Sequence, residues 1–200
     1  MSGSHTSKAP IADPRYKLSF IDTIIFKVVR NNIIVFAQKL VGTLYRFGCK
    51  DPNVNGRCNG KIDCSGLTEY CYGKAGITLL KGKNAQMQYD YSLQMSNPTV
   101  ADLVFFIGSY DKNCDGYIDR DDGITHVGIY YRPDLMIAAQ GKKVNYYPIS
   151  TWIPKYPRIC TDMSCPEESN NPCDCKCKKW ETYSNGTIFD PFGGYGKVIP

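Results

Sequence analysis

The feature that most constrains the fold is a change of texture at Val100. Before it, Ile33, Ile34, Phe36, Ala37, Leu40, Val41 and Leu44 recur at helical spacing and predict a helix over 33–47. Residues 48–62 are rich in Gly, Asn and Pro and read as loop. A second helical pattern begins behind Asp63, with Leu67, Tyr70 and Cys71 on one side and Gly73 and Gly76 as its end. A short helix is expected around Asn84 to Ser92. After Val100 come VADLVFFIG, THVGIYY, LMIAAQG and KVNYYPI, β-branched and aromatic runs parted by turns. Helices followed by an antiparallel sheet predict an α+β domain. With 200 residues, 42% of them hydrophobic, the chain can bury one sizeable core rather than two. The expected organisation is a loose tail over 1–16, a main domain over 17–157, and a cysteine-rich extension over 158–200 packed on that same domain.

Charge and leader content narrow the class. A net charge of +5 suits an anionic surface or polymer, but it is spread along the chain. No aromatic-basic interleaving argues for nucleic acid as a partner. The N-terminus lacks a basic start followed by an apolar stretch, so no export signal is legible. The run from Leu18 to Phe36 is broken by Asp22, Lys27, Arg30, Asn31 and Asn32, whereas a span needs about 20 mostly apolar residues. No membrane span is expected. Ten cysteines point to an oxidising, secreted or extracytoplasmic setting.

Among those cysteines, position singles out Cys64. A thiol attacks as the thiolate, and a helix N-terminus lowers its pKa through exposed amides and the dipole. In DCSGL, Asp63 is a good N-cap and Cys64 is the first helical residue expected. The plain alternative is a buried or bridged cysteine that happens to start a helix. Two histidines occur, and His5 lies in the tail, so His126 is the base available to a nucleophilic thiol. It opens THVGIYY, where a strand can aim an imidazole at a helix end.

The blocks LVGTLYRFGCKDP, DCSGLTEYCYGKAGITL, VADLVFF and HVGIYY, in that order, resemble the NlpC/P60 cysteine peptidases from about Ile33 to Ser150. The resemblance implies a papain-like α+β core over 17–157. It also implies cleavage of bacterial cell-wall stem peptides, commonly beside γ-D-glutamate. It assigns Cys64 as nucleophile and His126 as general base and then acid. Tyr45 matches a tyrosine that helps stabilise the oxyanion, and Asp63 and Ser65 match positions lining the pocket for the substrate's amino end. As structure alone, Asp63 is a cap, Ser65 a first-turn residue and Tyr45 a core residue. One departure stands out. The family's third polar residue falls at Ala138, which cannot orient an imidazole; Gln140, two residues on and on the same strand face, is the expected substitute.

Between the strand runs lies DKNCDGYIDRDD, residues 111–122. Hard cations need a shell of oxygens at fixed loop offsets. Asp111, Asn113, Asp115, the Tyr117 carbonyl, Asp119 and Asp122 occupy those offsets, Gly116 takes the sharp turn, and Asp replaces the usual final Glu. An EF-hand-like calcium site is expected, ordering the hairpin that presents His126. The alternative is a solvated acidic tip.

Cys71 reads as a small buried core residue. Cys49, Cys58, Cys114, Cys160, Cys165, Cys173, Cys175 and Cys177 form an even set that suits disulfides, with Cys49 and Cys58 able to close the loop before the active site. Zinc is the rival near the C-terminus, but the C-x-C-x-C run lacks Cys-x-x-Cys pairs. Asn185-Gly-Thr187 carries no weight as a glycosylation acceptor. The leading expectation is a peptidoglycan endopeptidase, for which an inhibitor or immunity protein is a conceivable partner. A papain-like acyltransferase or amidase on another substrate, and a calcium-stabilised binding module without catalysis, are the alternatives.

Overall fold

The computed structural model describes residues 20–152, 155–161, 163–164, 176–177, 180–184 and 187–198. The expected tail over 1–16, Cys165, Cys173, Cys175 and the Asn185–Gly186 pair lie outside the described residues. Three α-helices, α1 (Phe20–Lys39), α2 (Cys64–Lys74) and α3 (Ala85–Asp90), and one 3-10 turn, Ile149–Thr151, accompany thirteen strands among the described residues. The strands are β1 (Leu44–Tyr45), β2 (Lys61–Ile62), β3 (Leu93–Met95), β4 (Leu103–Ile107), β5 (Tyr117–Ile118), β6 (Ile124–Arg132), β7 (Leu135–Gln140), β8 (Lys143–Pro148), β9 (Arg158–Cys160), β10 (Met163–Ser164), β11 (Lys176–Cys177), β12 (Trp180–Thr182) and β13 (Phe192–Lys197).

Eight of these strands make one sheet in the order β2-β1-β8-β7-β6-β4-β13-β3. Its centre, β4, β6, β7 and β8, is an antiparallel series. That is the α+β architecture expected. The first helix differs from expectation: α1 starts at Phe20 and ends at Lys39, well before residue 47. The reason is pairing. Gly42 turns at φ 95°, its N–H reaches the Val144 carbonyl (2.9 Å), and Val144 returns a bond to Thr43 (2.8 Å), so Leu44 joins the sheet. Backbone satisfaction in the sheet overrides the apolar periodicity. Likewise α2 runs through Gly73, and the turn falls at Gly76 with φ 91°.

One face of the sheet packs against α1 and α2. Ile33 and Ala37 of α1, Leu67 and Cys71 of α2, and Leu103, Phe105, Val127, Ile129 and Ile137 of the sheet form that core. Arg30 ties α1 to the sheet through the buried Asp102 (2.8 Å). The other face carries Val104, Phe106, Tyr130, Met136, Ala138 and Ile149, with Trp152 packed against them. Both faces of β6 are therefore covered, and only its last two residues emerge. No described helix is long and apolar enough to cross a membrane.

Candidate active site

The N-terminus of α2 is held in place from several directions. Asp63 caps it in an extended conformation, and its Oδ1 accepts the Gly66 N–H (2.6 Å), as the sequence implies. Its Oδ2 accepts the Gly48 N–H (2.9 Å), and the Asp63 N–H donates to the Cys49 carbonyl (2.7 Å). Cys49 and Cys58 form a disulfide that closes this loop. From the other side Gln88 of α3 donates to the Ser65 carbonyl (2.9 Å), and Gln86 accepts the Ile124 N–H at the start of β6 (2.9 Å). Thus α3 splints the helix start to the strand that bears His126.

Cys64 is a free thiol, 9% exposed, and Cys71 is the other free cysteine among the described residues, buried in the core as expected. The backbone amides of Val127, the neighbour of His126, and of Ser65 lie close enough to the Cys64 sulfur to favour its thiolate. These amides and the Lys50 ammonium pull its pKa down, but burial and the Asp63 carboxylate outweigh them and push it up to about 11. The expectation of a lowered thiol pKa is thereby corrected. A helix terminus stabilises the thiolate by only about 0.3–1 kcal/mol, less than the desolvation of a buried charge.

His126 pairs with Phe106 across β4 and β6 and is 5% exposed. Its ring is stacked on Trp152 (5.3 Å between centroids, 14° between planes), and Trp152 is stacked on Phe106 (4.2 Å). Burial holds the imidazole down to about 4, so it is neutral at pH 7. Gln140 opposes that fall by hydrogen bonding to the ring, yet His126 Nε2 and Gln140 Oε1 are both buried without a well-formed bond. The two are a matched donor and acceptor, close but poorly aligned. The β6–β7 register, Ile129 to Ile137, carried three residues further, sets Gln140 opposite His126. Ala138 is fully buried opposite Gly128, where a Cβ would come within 3.2 Å of the Ala138 Cβ. The Ala138 side chain offers the imidazole no polar atom.

Two adjoining cavities hold the expected residues. One, of about 670 Å³, is lined by Tyr45, His126, Gln140, Tyr147 and Trp152. The other, of about 220 Å³, is lined by Lys50, Asp63, Cys64 and Ser65. Phe47 and Tyr110, in edge-to-face contact at 5.6 Å, line both. The Tyr45 hydroxyl lies within electrostatic reach of Cys64 and Asp63, and burial raises its pKa far above the ordinary phenol value. It remains a hydrogen-bond donor at any working pH. Lys50, Phe47, Tyr110 and Trp152 escaped the reading of the sequence. Only Lys50 carried a signal, as the cation one residue from a cysteine in the loop before the helix.

In the 111–122 loop, Asp111, Asn113, Asp115 and Asp119 each accept a backbone N–H from within the loop. Asp122, the presumed last ligand, accepts the N–H groups of Lys112 (2.5 Å), Asn113 (3.3 Å) and Asp119 (3.0 Å). Asp111 Oδ1 is buried with no donor. Among the described residues, no three acidic, His or Cys side chains are gathered as a metal-holding group. Cys114 and Cys160 are both disulfide-bonded.

A helix opened by a free thiol, laid across an antiparallel sheet with a buried histidine, defines an α+β domain with a candidate thiol site. The description "NlpC/P60 family" matches residues 42–161, and the chain belongs to that family. It is 37% identical over 114 residues to a "Probable endopeptidase p60" of Listeria monocytogenes, covering 57% of this chain and 20% of that protein. It is 32% identical over 110 residues to a "Bifunctional muramidase/DL-endopeptidase CwlT" of Bacillus subtilis, covering 55% and 29%. The chain thus matches under a third of the length of either relative. A solved NLP/P60-family lipoprotein-like structure from Staphylococcus aureus superposes with a TM-score of 0.50 at 31% identity, covering 62% of this chain and 37% of that one.

Proposed function

We propose that the chain is a cysteine endopeptidase of peptidoglycan stem peptides, cutting beside γ-D-glutamate in an extracytoplasmic setting. The observation that carries this reading is the unbridged Cys64 at the capped start of α2, its sulfur close enough to the amide of Val127, beside His126, to feel it electrostatically. A thiol and an imidazole that are both neutral at rest favour general-base attack over a resting ion pair. Sγ bonds to the scissile carbonyl carbon as His126 takes the thiol proton. The Tyr45 hydroxyl donates to the oxyanion. His126 returns the proton to the leaving amine, leaving a thioester on Cys64. Water, deprotonated by His126, then attacks the thioester carbonyl; the C–S bond breaks, the acyl half leaves as an acid, and His126 returns its proton to the Cys64 sulfur. Gln140 acts through His126 by holding the ring as the charge develops on it.

Calcium belongs to the same proposal. Asp111, Asn113, Asp115, Asp119, Asp122 and the Tyr117 carbonyl supply oxygen donors of the right kind, and Asp111 Oδ1 is a buried acceptor that no hydrogen-bond donor satisfies. Ligation there requires Asp122 to exchange some of its amide partners. Bound calcium would offset most of the net negative charge of the loop between β4 and β6 and stiffen the approach to His126.

The test is incubation of stem peptides and intact sacculi with the protein and with Cys64→Ala, with and without calcium, read by product mass. Cleavage by the unaltered protein that vanishes in Cys64→Ala supports the endopeptidase. Equal rates after thorough chelation remove calcium from the account. Binding to sacculi without products would favour the non-catalytic module, for which Ala138 is the supporting observation.

A further inference from the structure

Asp63 and Ser65 form the polar corner of the small cavity beside Cys64. A buried carboxylate flanked by a hydroxyl, next to the nucleophile, is chemistry suited to an ammonium. That ammonium is already present in the chain. Lys50 Nζ donates to Asp63 Oδ1 at 3.2 Å and to Ser65 Oγ. Asp63 Oδ1 also accepts from Gly66 N–H (2.6 Å) and Ser65 Oγ (3.1 Å), while Oδ2 accepts from Gly48 N–H (2.9 Å). Three of these four donors crowd Oδ1, the oxygen that faces Ser65, so an incoming amine meets Lys50 already holding that oxygen.

The lysine is placed there by the backbone. At Gly66 a Cβ would lie 2.8 Å from the Lys50 Cα and would collide with the Cys49 carbonyl, so glycine lets the disulfide-closed loop rest directly on α2. Lys50 also lies close enough to Cys64 to lower its pKa, which fixes its charge near the reacting sulfur.

Resting on the endopeptidase reading above, we infer that Lys50 is a specificity-determining residue that occupies the amine-binding corner and directs the enzyme to stem peptides whose amino end is amide-linked. A substrate with a free α-ammonium must displace Lys50 or sit beside it as a like charge. A substrate with an acylated nitrogen brings no charge and offers a carbonyl to the remaining N–H of Lys50.

The experiment compares two stem peptides identical except that one has a free α-amine and the other is N-acetylated. The ratio of kcat/KM, acetylated over free, is measured for the unaltered protein, Lys50→Met and Lys50→Arg. The expected ratio is about tenfold or more in the unaltered protein, falls about tenfold in Lys50→Met and is kept in Lys50→Arg. In a Cys64→Ala background, titration of both peptides followed by nuclear magnetic resonance gives the same comparison without turnover; Lys50→Met should gain affinity for the free-amine peptide. A preference of the unaltered protein for the free amine, or a Lys50→Met ratio equal to it, overturns the assignment. If neither peptide is hydrolysed, the endopeptidase reading fails and the titration alone decides: binding unaltered by Lys50→Met, absence included, overturns the Lys50 role.

Discussion

The two walls of the cleft are held by different physics. Around Cys64 the constraint is hydrogen bonding and a covalent bridge: Asp63 takes four donors, Gln88 braces the first helical turn, and a disulfide closes the adjoining loop. Around His126 the constraint is packing. The ring is stacked on Trp152 and set against Phe106, while its Nε2 and the facing Gln140 Oε1 lack a proper bond. A nucleophile must stay where it is, whereas a base must turn between thiol, leaving group and water. Stacking fixes a ring's plane and leaves rotation within it less costly than a full hydrogen-bond set would.

The largest effect that breaks this contrast is expected on the rigid wall. Gly66→Ala forces a Cβ against the Cys49 carbonyl and the Lys50 Cα, backbone atoms that cannot step aside. We expect a loss of about 3 kcal/mol or more in denaturant unfolding, with cleavage lost alongside. A variant as stable as the parent would show that the loop does not rest on α2.

Next comes the stacked wall. Trp152→Ala removes the ring beneath His126 and should lower kcat by about tenfold or more, with KM less affected. Trp152→Phe keeps an aromatic face and should recover most of the rate. An equal loss in both would mean that the indole does something other than stack.

The smallest expected effect is at Gln140. Because its bond to His126 is already loose, Gln140→Ala should reduce kcat by only about three- to tenfold, and melting temperature should change little. A loss as deep as that of Cys64→Ala would show that the bond tightens fully during catalysis.

What was legible in the sequence follows the same division. The start of α2 was readable because DCSGL writes its cap and first turn locally, and β4, β6, β7 and β8 because their side chains suit a covered sheet. The last strand was not. Phe192–Lys197, FGGYGK, sits between β4 and β3 in the main sheet, although its glycines argue against strand. A Cβ at Gly193 would strike Ile124 and one at Gly196 would strike Ser92 and Phe105, so those glycines are dictated by neighbours far off in sequence. The thiol pKa was misjudged for a related reason: the helix terminus is a local signal, whereas the burial that overrides it is assembled by the whole fold. Lys50 reaches Asp63 only after a disulfide and a glycine have folded the loop back, which no local pattern announces.

The most direct measurement of the central claim is the pH dependence of kcat/KM for stem-peptide cleavage. With the imidazole held down to about 4 and the thiol pushed up to about 11, His126 keeps its proton-accepting form far below the ordinary histidine value of 6.5. The rate should therefore stay level from about pH 8 down to about pH 5 and fall only below that. A rate that already declines with an apparent pKa at or above 6.5, or climbs steadily toward alkaline pH as free thiolate accumulates, would contradict general-base attack by a buried neutral pair.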